Sequence, residues 1–298
     1  MGSLIWDDEN RYVGKQPYWK DAVFYQVYPA SFKDSNGDGW GDLEGLISKV
    51  DYLSDLGVDV VWVSPIFASP QKDMGYDVSD YQAIEAAYGT VEDVDTLLRA
   101  CHSRGMKVIL DLVVNHTSNE HQWFKDSRSS KSNPKRDWYI WKPARYDADG
   151  IRHPPTNWRG YFAGPTWTWD AETEEYYLHL YAPDQPDLNW ENQECREAIY
   201  EKTMRFWLDR GVDGFRIDTV NKYSKRTDYV DAPVTDPTSP HQPAPEMWCN
   251  GPRIHEYIRE MNAKALAPYN AVSVGELSLT PHPSQVLPYV SAAARELD

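Results

Sequence analysis

The stretch FWLDRGVDGFRIDTV, Phe206 to Val220, reads as a helix tail, a stop and a strand. Gly211 fits the left-handed position that ends helices. After a short link comes an apolar run that begins at Gly214. Two other passages share this pattern: YLSDLGVDVVWVSP, Tyr52 to Pro65, and CHSRGMKVILDLVVNH, Cys101 to His116, with Gly57 and Gly105 at the stop. Within the first passage Arg216 and Asp218 stand two residues apart, so on a strand they share one face. If that face points inward, two charges have been placed where desolvation is expensive. A structural ion pair and a functional site both answer to that description.

The helices leading into these strands carry their own signals. Leu43, Leu46, Ile47, Val50 and Leu53 recur at helical spacing after Asp42, which fits an N-cap. Thr90 followed by Asp93 resembles a capping box, and Val94, Leu97, Leu98 and Cys101 form the apolar stripe behind it. Cys101 is therefore read as a core residue. The strand expectations are Phe24–Pro29, Val60–Pro65, Lys107–Asn115, Gly214–Val220 and Ala271–Glu276. Near-continuous apolar strands alternating with amphipathic helices mean a parallel sheet covered by helices, either doubly wound or a (β/α)8 barrel. VYPASF follows the first strand where a nucleotide-binding sheet would carry a glycine-rich loop, which weakens the doubly wound reading. Asn115, His116, Asp218 and Glu276 gather at the C-terminal strand ends, the rim on which barrel enzymes place their chemistry.

About a hundred residues separate the third and fourth strands, and roughly Thr117 to Asp184 is rich in Trp, Tyr, Pro and Asp. A loop of that length reads as a small subdomain. A second polar excursion, TDYVDAPVTDPTSPHQPAPE, follows the fourth strand and is placed near the cleft. The chain's 13 Trp and 20 Tyr suit ligands with flat apolar faces, sugars among them. A net charge of −16 argues against a nucleic-acid partner. Cys101, Cys195 and Cys249 give neither a disulfide framework nor a zinc pattern. The opening residues show no signal-peptide core, and no run is long enough to span a membrane, so the expectation is a soluble, cytoplasmic protein. MGS at the start weakly resembles a myristoylation signal but meets Trp6 at the sixth position.

DLVVNH, GFRIDTV and VGE, in this order and each on a strand, together with QPDLNW from Gln185 to Trp190, resemble the signatures of the α-amylase family of retaining glycoside hydrolases. The last of these narrows the resemblance to its oligo-1,6-glucosidase and maltase (α-glucosidase) branch. It implies a (β/α)8 TIM barrel, incomplete in this chain with about five strands, and a small inserted subdomain after the third strand. On that reading residues 1–116 open the barrel, 117–184 form the insertion and 185–298 continue the barrel. The family's transition-state aspartate and its neighbouring histidine, the last barrel units and the C-terminal β-domain are not found. The expectation is that the 298-residue chain alone has little glucosidase activity. Assay with an aryl α-glucoside checks this; turnover near that of full-length relatives contradicts it.

The resemblance also assigns roles. Asp218 matches the nucleophile and Glu276 the general acid/base. Retaining enzymes hold these carboxyls about 5–5.5 Å apart, one ionised to attack and one protonated to donate. Arg216 would hold Asp218 ionised, because an adjacent cation lowers a carboxyl pKa, while Glu276 would need a raised one. Asp73 would bind sugar hydroxyls, Tyr76 would stack beneath the ring and His116 would meet the primary hydroxyl. Phe162, Tyr181 and Gln185 would shape the leaving-group subsite, with Tyr181 departing from the phenylalanine expected there. Asp111 is read as architectural. Thr219 after the nucleophile goes with maltose-like α-1,4 bonds, whereas valine goes with α-1,6 bonds, a modest discrimination. Oligo-1,6-glucosidase, sucrose or trehalose isomerase, and a non-catalytic family member or inactive fragment serving as an interaction subunit are the alternatives. The last is disfavoured because both carboxylates are present.

DSNGDGWGD places Asp34, Asn36, Asp38 and Asp42 at alternate positions, like the start of a calcium loop, without the glutamate at its twelfth position. An acidic surface turn explains the spacing equally well. In relatives the loop holds a metal with the Trp40 carbonyl as a further ligand, so a structural Ca2+ is expected, with magnesium as the rival. No organic cofactor is expected.

Overall fold

The computed structural model describes residues 17–298. The readings of the opening residues, the signal-peptide and myristoylation arguments, lie outside them. Among the described residues no helix is long and apolar enough to cross a membrane. Five parallel strands form one sheet: β1 Phe24–Val27, β2 Val60–Val63, β3 Lys107–Leu112, β4 Gly214–Ile217 and β5 Val272–Gly275. Their spatial order equals their chain order, so each strand lies beside the next with no switch point of the doubly wound kind. Gly214 pairs with Ile109 and Val272, and Arg216 with Asp111 and Val274.

Every one of these strands stops short of its expected C-terminal end. Pro29 opens a helical turn, Pro29–Phe32, and cannot extend a ladder. Beyond Ile217 only single contacts persist: the Asp218 amide donates to the Leu112 carbonyl at 3.0 Å, and the Glu276 amide to the Ile217 carbonyl at 2.9 Å. Thr219 then turns left-handed, at φ +45°, and leads the chain out of the sheet. The residues proposed for chemistry therefore sit one step past the paired strands, anchored by them and free of the ladder.

The stop signals fold as read. Gly57, Gly105 and Gly211 have φ of +88°, +75° and +103°. Gly214 serves a different need, since a Cβ there would stand 2.0 Å from the Val272 carbonyl oxygen. The helix expected after Asp42 is two helices, Leu43–Ile47 and Val50–Asp55, because Lys49 leaves helical dihedrals at φ −109°, ψ 7°. Asp42 does cap the first, accepting from the Gly45 amide. Thr90 and Asp93 form the reciprocal capping box of helix Val91–His102. Val94, Leu97, Leu98 and Cys101 on that helix are all buried, each leucine contributing on the order of 1.5–3 kcal/mol by area. Burial pushes the Cys101 thiol pKa up to about 11, which suits a core residue.

Between β3 and β4 lie helix Gln122–Ser129 and a three-stranded antiparallel sheet of Trp141–Lys142, Trp167–Asp170 and Glu175–Leu178. Trp158, Trp167, Tyr176 and Leu178 pack there against Met247, Trp248 and Cys249 from beyond β4. The excursion after β4 is pinned to it, with Gln242 and Pro243 pairing with Trp158 and Arg159. Together these segments stand over the C-terminal ends of β3, β4 and β5.

Candidate active site

Three carboxyls converge on one partly buried guanidinium. Arg216 Nη1 donates to Asp218 Oδ1 at 2.6 Å and to Asp111 Oδ1 at 2.9 Å, while Nη2 donates to Glu276 Oε2 at 2.6 Å. The strand periodicity that aligned Arg216 with Asp218 produces the first contact; the β3–β4 register, which sets Asp111 opposite Arg216, produces the second. Asp111 has no exposed side-chain surface and also accepts from Trp62 Nε1 at 3.1 Å and the Tyr76 hydroxyl at 3.3 Å. It is thus the pillar that fixes both Arg216 and Tyr76. The paired charges of the Phe206–Val220 stretch belong to a larger cluster than two residues.

A cavity of about 340 Å³ opens above this cluster. Asp73, Tyr76, His116, Phe162, Tyr181, Arg216, Asp218, Thr219 and Glu276 all line it, with Tyr161. Gln185 stands just behind, its Nε2 donating to Asp73 Oδ2 at 2.9 Å and to the Tyr76 carbonyl at 3.2 Å. The substrate-side residues named from sequence are thus brought into one place. Tyr161 escaped the sequence reading because it lies on a loop with no periodicity. It stacks on Tyr181 at 5.0 Å and donates to Ser278 Oγ at 3.0 Å. A larger cavity of about 420 Å³, between Arg145 and His241, is lined by polar groups that pair locally, Arg145 with Asp231 and His153 with Asp147. It offers no convergent carboxyls.

The charge states differ from the expectation. Burial pushes Asp218 up to about 7, Glu276 adds to the rise, and Arg216 opposes it without cancelling it. Burial pushes Glu276 upward too, but Arg216, the Thr219 amide and its contact with Asp218 outweigh this and bring it below its ordinary value. Asp111 is also pushed up to about 7 by burial. Arg216 faces all three carboxyls, while the second cation nearby, Lys222, favours the ionised form of Glu276, so the more deeply buried pair is the one pushed up. The upward direction at Asp218 and the downward one at Glu276 are each the reverse of what attack and proton donation require.

The acidic loop lies apart from this cavity. Asp34 Oδ1 accepts the amides of Asn36 and Gly37, and its Oδ2 that of Gly39 at 2.8 Å. Asn36 Oδ1 accepts from the Asp38 amide at 2.9 Å, and Asp38 Oδ1 from the Trp40 amide at 2.8 Å. Gly37 and Gly39 take φ of +85° and +90°, as so tight a turn demands. Each of the three side chains keeps an oxygen with a spare lone pair. Asp42 is committed elsewhere, to the Gly45 amide and to the amide and hydroxyl of Ser35. Among the described residues no group of three or more His, Cys, Asp or Glu could hold a metal, so the fit to a hard cation rests on Asp34, Asn36 and Asp38 with backbone oxygen.

Residues 26–298 match the model of the α-amylase catalytic domain. The chain belongs to the α-amylase family. Within the α-amylase family it is 58% identical to an α-glucosidase of Candida albicans, over 96% of this chain and 50% of that protein. It is 52% identical to an oligo-1,6-glucosidase of Saccharomyces cerevisiae, over 94% and 48%. Among solved structures it resembles the trehalose-6-phosphate hydrolase of Bacillus licheniformis, with a TM-score of 0.87 and 47% identity over 95% of this chain and 49% of that one. The isomaltulose synthase of Protaminobacter rubrum superposes at 0.88 with 44% identity, over 96% and 49%. The chain spans about half the length of the curated relatives it matches.

Proposed function

We propose that this chain carries the nucleophile and acid/base of a retaining α-glucosidase acting on maltose and short α-glucosides. The carrying observation is that Asp218 and Glu276 occupy the two terminal nitrogens of one partly buried guanidinium and face one cavity. On this reading the five strands are the first staves of a (β/α)8 barrel, and the segment from 117 to 184 is a subdomain inserted after the third. Asp218 attacks the anomeric carbon and Glu276 protonates the leaving oxygen; water then enters by the reverse proton path. The directions of the two shifts fit this cycle. Glu276 is the more open of the pair, with its side chain 38% exposed against 6% for Asp218. A glucosyl ring lying over Glu276 strips its water, raises its pKa and draws the proton across.

Product analysis tests the reading. In a chain carried to the full length of its relatives, release of glucose from maltose supports it, conversion of sucrose to an isomer favours the isomerase alternative, and no turnover of any α-glucoside contradicts it. For linkage, Thr219 is informative: its Oγ1 is buried without a partner, and its left-handed backbone is strained for a β-branched residue. Thr219 lines the cavity, and rotation about its Cα–Cβ bond would turn that oxygen toward a substrate hydroxyl. Thr219→Val is expected to lower kcat/KM for maltose relative to isomaltose by about tenfold, with unfolding nearly unchanged. An unaltered ratio of the two substrates counts against this role.

A structural Ca2+ at Asp34, Asn36 and Asp38, with the Trp40 carbonyl and Asp42 as weaker members of the set, is part of the same proposal. It would fasten the loop after β1 and touches no chemical step. Chelation is expected to lower Tm by roughly 5 °C, and Asp34→Ala to abolish the difference. Equal Tm with and without chelator would remove the metal from the account.

A further inference from the structure

Lys225 touches nothing in the cavity, yet its surroundings dictate the protonation of a residue that does. Its ammonium is buried, donates to Asn115 Oδ1 at 3.1 Å and to the Lys222 carbonyl at 2.8 Å, and pairs by charge with Asp187 Oδ2 at 3.0 Å. An ammonium has N–H donors and no acceptor, so every polar group it holds must offer an oxygen. Asp187 is fully buried and is itself held by the Leu180 amide at 3.0 Å. Because Lys225 can only donate, Asn115 must turn its oxygen toward it. The amide nitrogen of Asn115 then faces His116 Nδ1 at 3.2 Å. That nitrogen must accept, which leaves the ring proton on Nε2, where it donates to the Tyr76 carbonyl at 2.9 Å. Gln185 Nε2, 3.3 Å from the same ring nitrogen, spends its two hydrogens on Asp73 and the Tyr76 carbonyl and makes no competing demand.

We infer that Lys225, seated on Asp187 and acting through Asn115, is a positioning residue that fixes His116 as the neutral Nε2–H tautomer. His116 therefore meets the pocket as a neutral ring whose one N–H is held by the Tyr76 carbonyl, so a ligand oxygen gains a bond from it only by sharing that proton. Burial, which lowers the His116 pKa, works in the same direction by disfavouring imidazolium. The consequence for substrate rests on the glucosidase reading; the tautomer itself does not.

The chain labelled with 15N-histidine, His116 assigned by comparison with His116→Gln, reports the tautomer in long-range 1H–15N spectra without any substrate. The expected wild-type result is a pyridine-type Nδ1 and a pyrrole-type Nε2. In Asn115→Asp the carboxylate can only accept, so Nδ1 should gain a proton and move to the pyrrole-type region. Lys225→Met combined with Asp187→Asn removes both buried charges together and avoids leaving one unpaired; with Asn115 then free to turn, averaged shifts are expected at both nitrogens. A protonated Nδ1 in the wild type overturns the inference, as does a double variant that keeps the fixed Nε2–H signature. Because no sugar enters the measurement, either result leaves the assignment of Asp218 and Glu276 standing.

Discussion

In a chain carried to the full length of its relatives, replacing Asp218 by asparagine lowers turnover of an aryl α-glucoside by about 10⁴-fold or more, a loss on the order of 5–6 kcal/mol of transition-state stabilisation. The amide cannot form the glycosyl ester, and the good leaving group of an aryl glycoside cannot replace a missing nucleophile. The fold should survive. The carboxamide of the Asp218→Asn variant retains an oxygen to accept from Arg216, and the guanidinium keeps Asp111 and Glu276. Kinetics beside urea unfolding separate these effects: a Cm close to wild type with turnover lost is the expected pair of results. Activity within about tenfold of wild type would show that another group attacks.

Arg216→Met should have the largest effect on stability. It leaves Asp111, Asp218 and Glu276 facing one another with no cation between them, and breaking such a buried arrangement costs about 3–5 kcal/mol near neutral pH. The pH dependence has a defined sign. Asp111 and Asp218, pushed up to about 7 in the fold, hold protons that the unfolded chain releases near 4. Between those limits the native state binds more protons, so this pair's contribution to stability is complete below about pH 4 and is lost as pH rises through about 7. Glu276, lowered in the fold, acts oppositely: its contribution is present above its unfolded pKa and is lost as pH falls through its folded one. In Arg216→Met the penalty should therefore shrink as pH falls from 7 toward 4. In Asp218→Asn the wild-type slope over that window should flatten. Urea midpoints across the window check both, and a penalty independent of pH would contradict the cluster's electrostatics.

Much of the architecture is local and was therefore legible. A glycine forced to positive φ at Gly57, Gly105 and Gly211, followed by an apolar run, leaves the chain few alternatives to helix, stop and strand. The pairing of Arg216 with Asp218 follows from strand periodicity alone. The strand ends were overestimated because Asn115, Asp218 and Glu276 sit in apolar sequence that looks continuous, although the ladder has ended before them. Charge state was illegible for another reason. It depends on how desolvation of Asp218 weighs against a guanidinium shared with Asp111, and the register of two strands a hundred residues apart decides that sharing. The same holds for Lys225, whose role comes from two acceptors and a buried carboxylate that only the fold brings to its ammonium.

Trapping the covalent intermediate addresses the pairing of Asp218 with Glu276 most directly. A 2-deoxy-2-fluoro-α-glucosyl donor with a good leaving group would be incubated with the enzyme, which is then digested and its peptides weighed. The expected result is one added fluoroglucosyl group, on the peptide spanning Gly214 to Lys222 and localised to Asp218. Label on any other carboxyl, or turnover that releases the β-anomer with no adduct, would contradict the account.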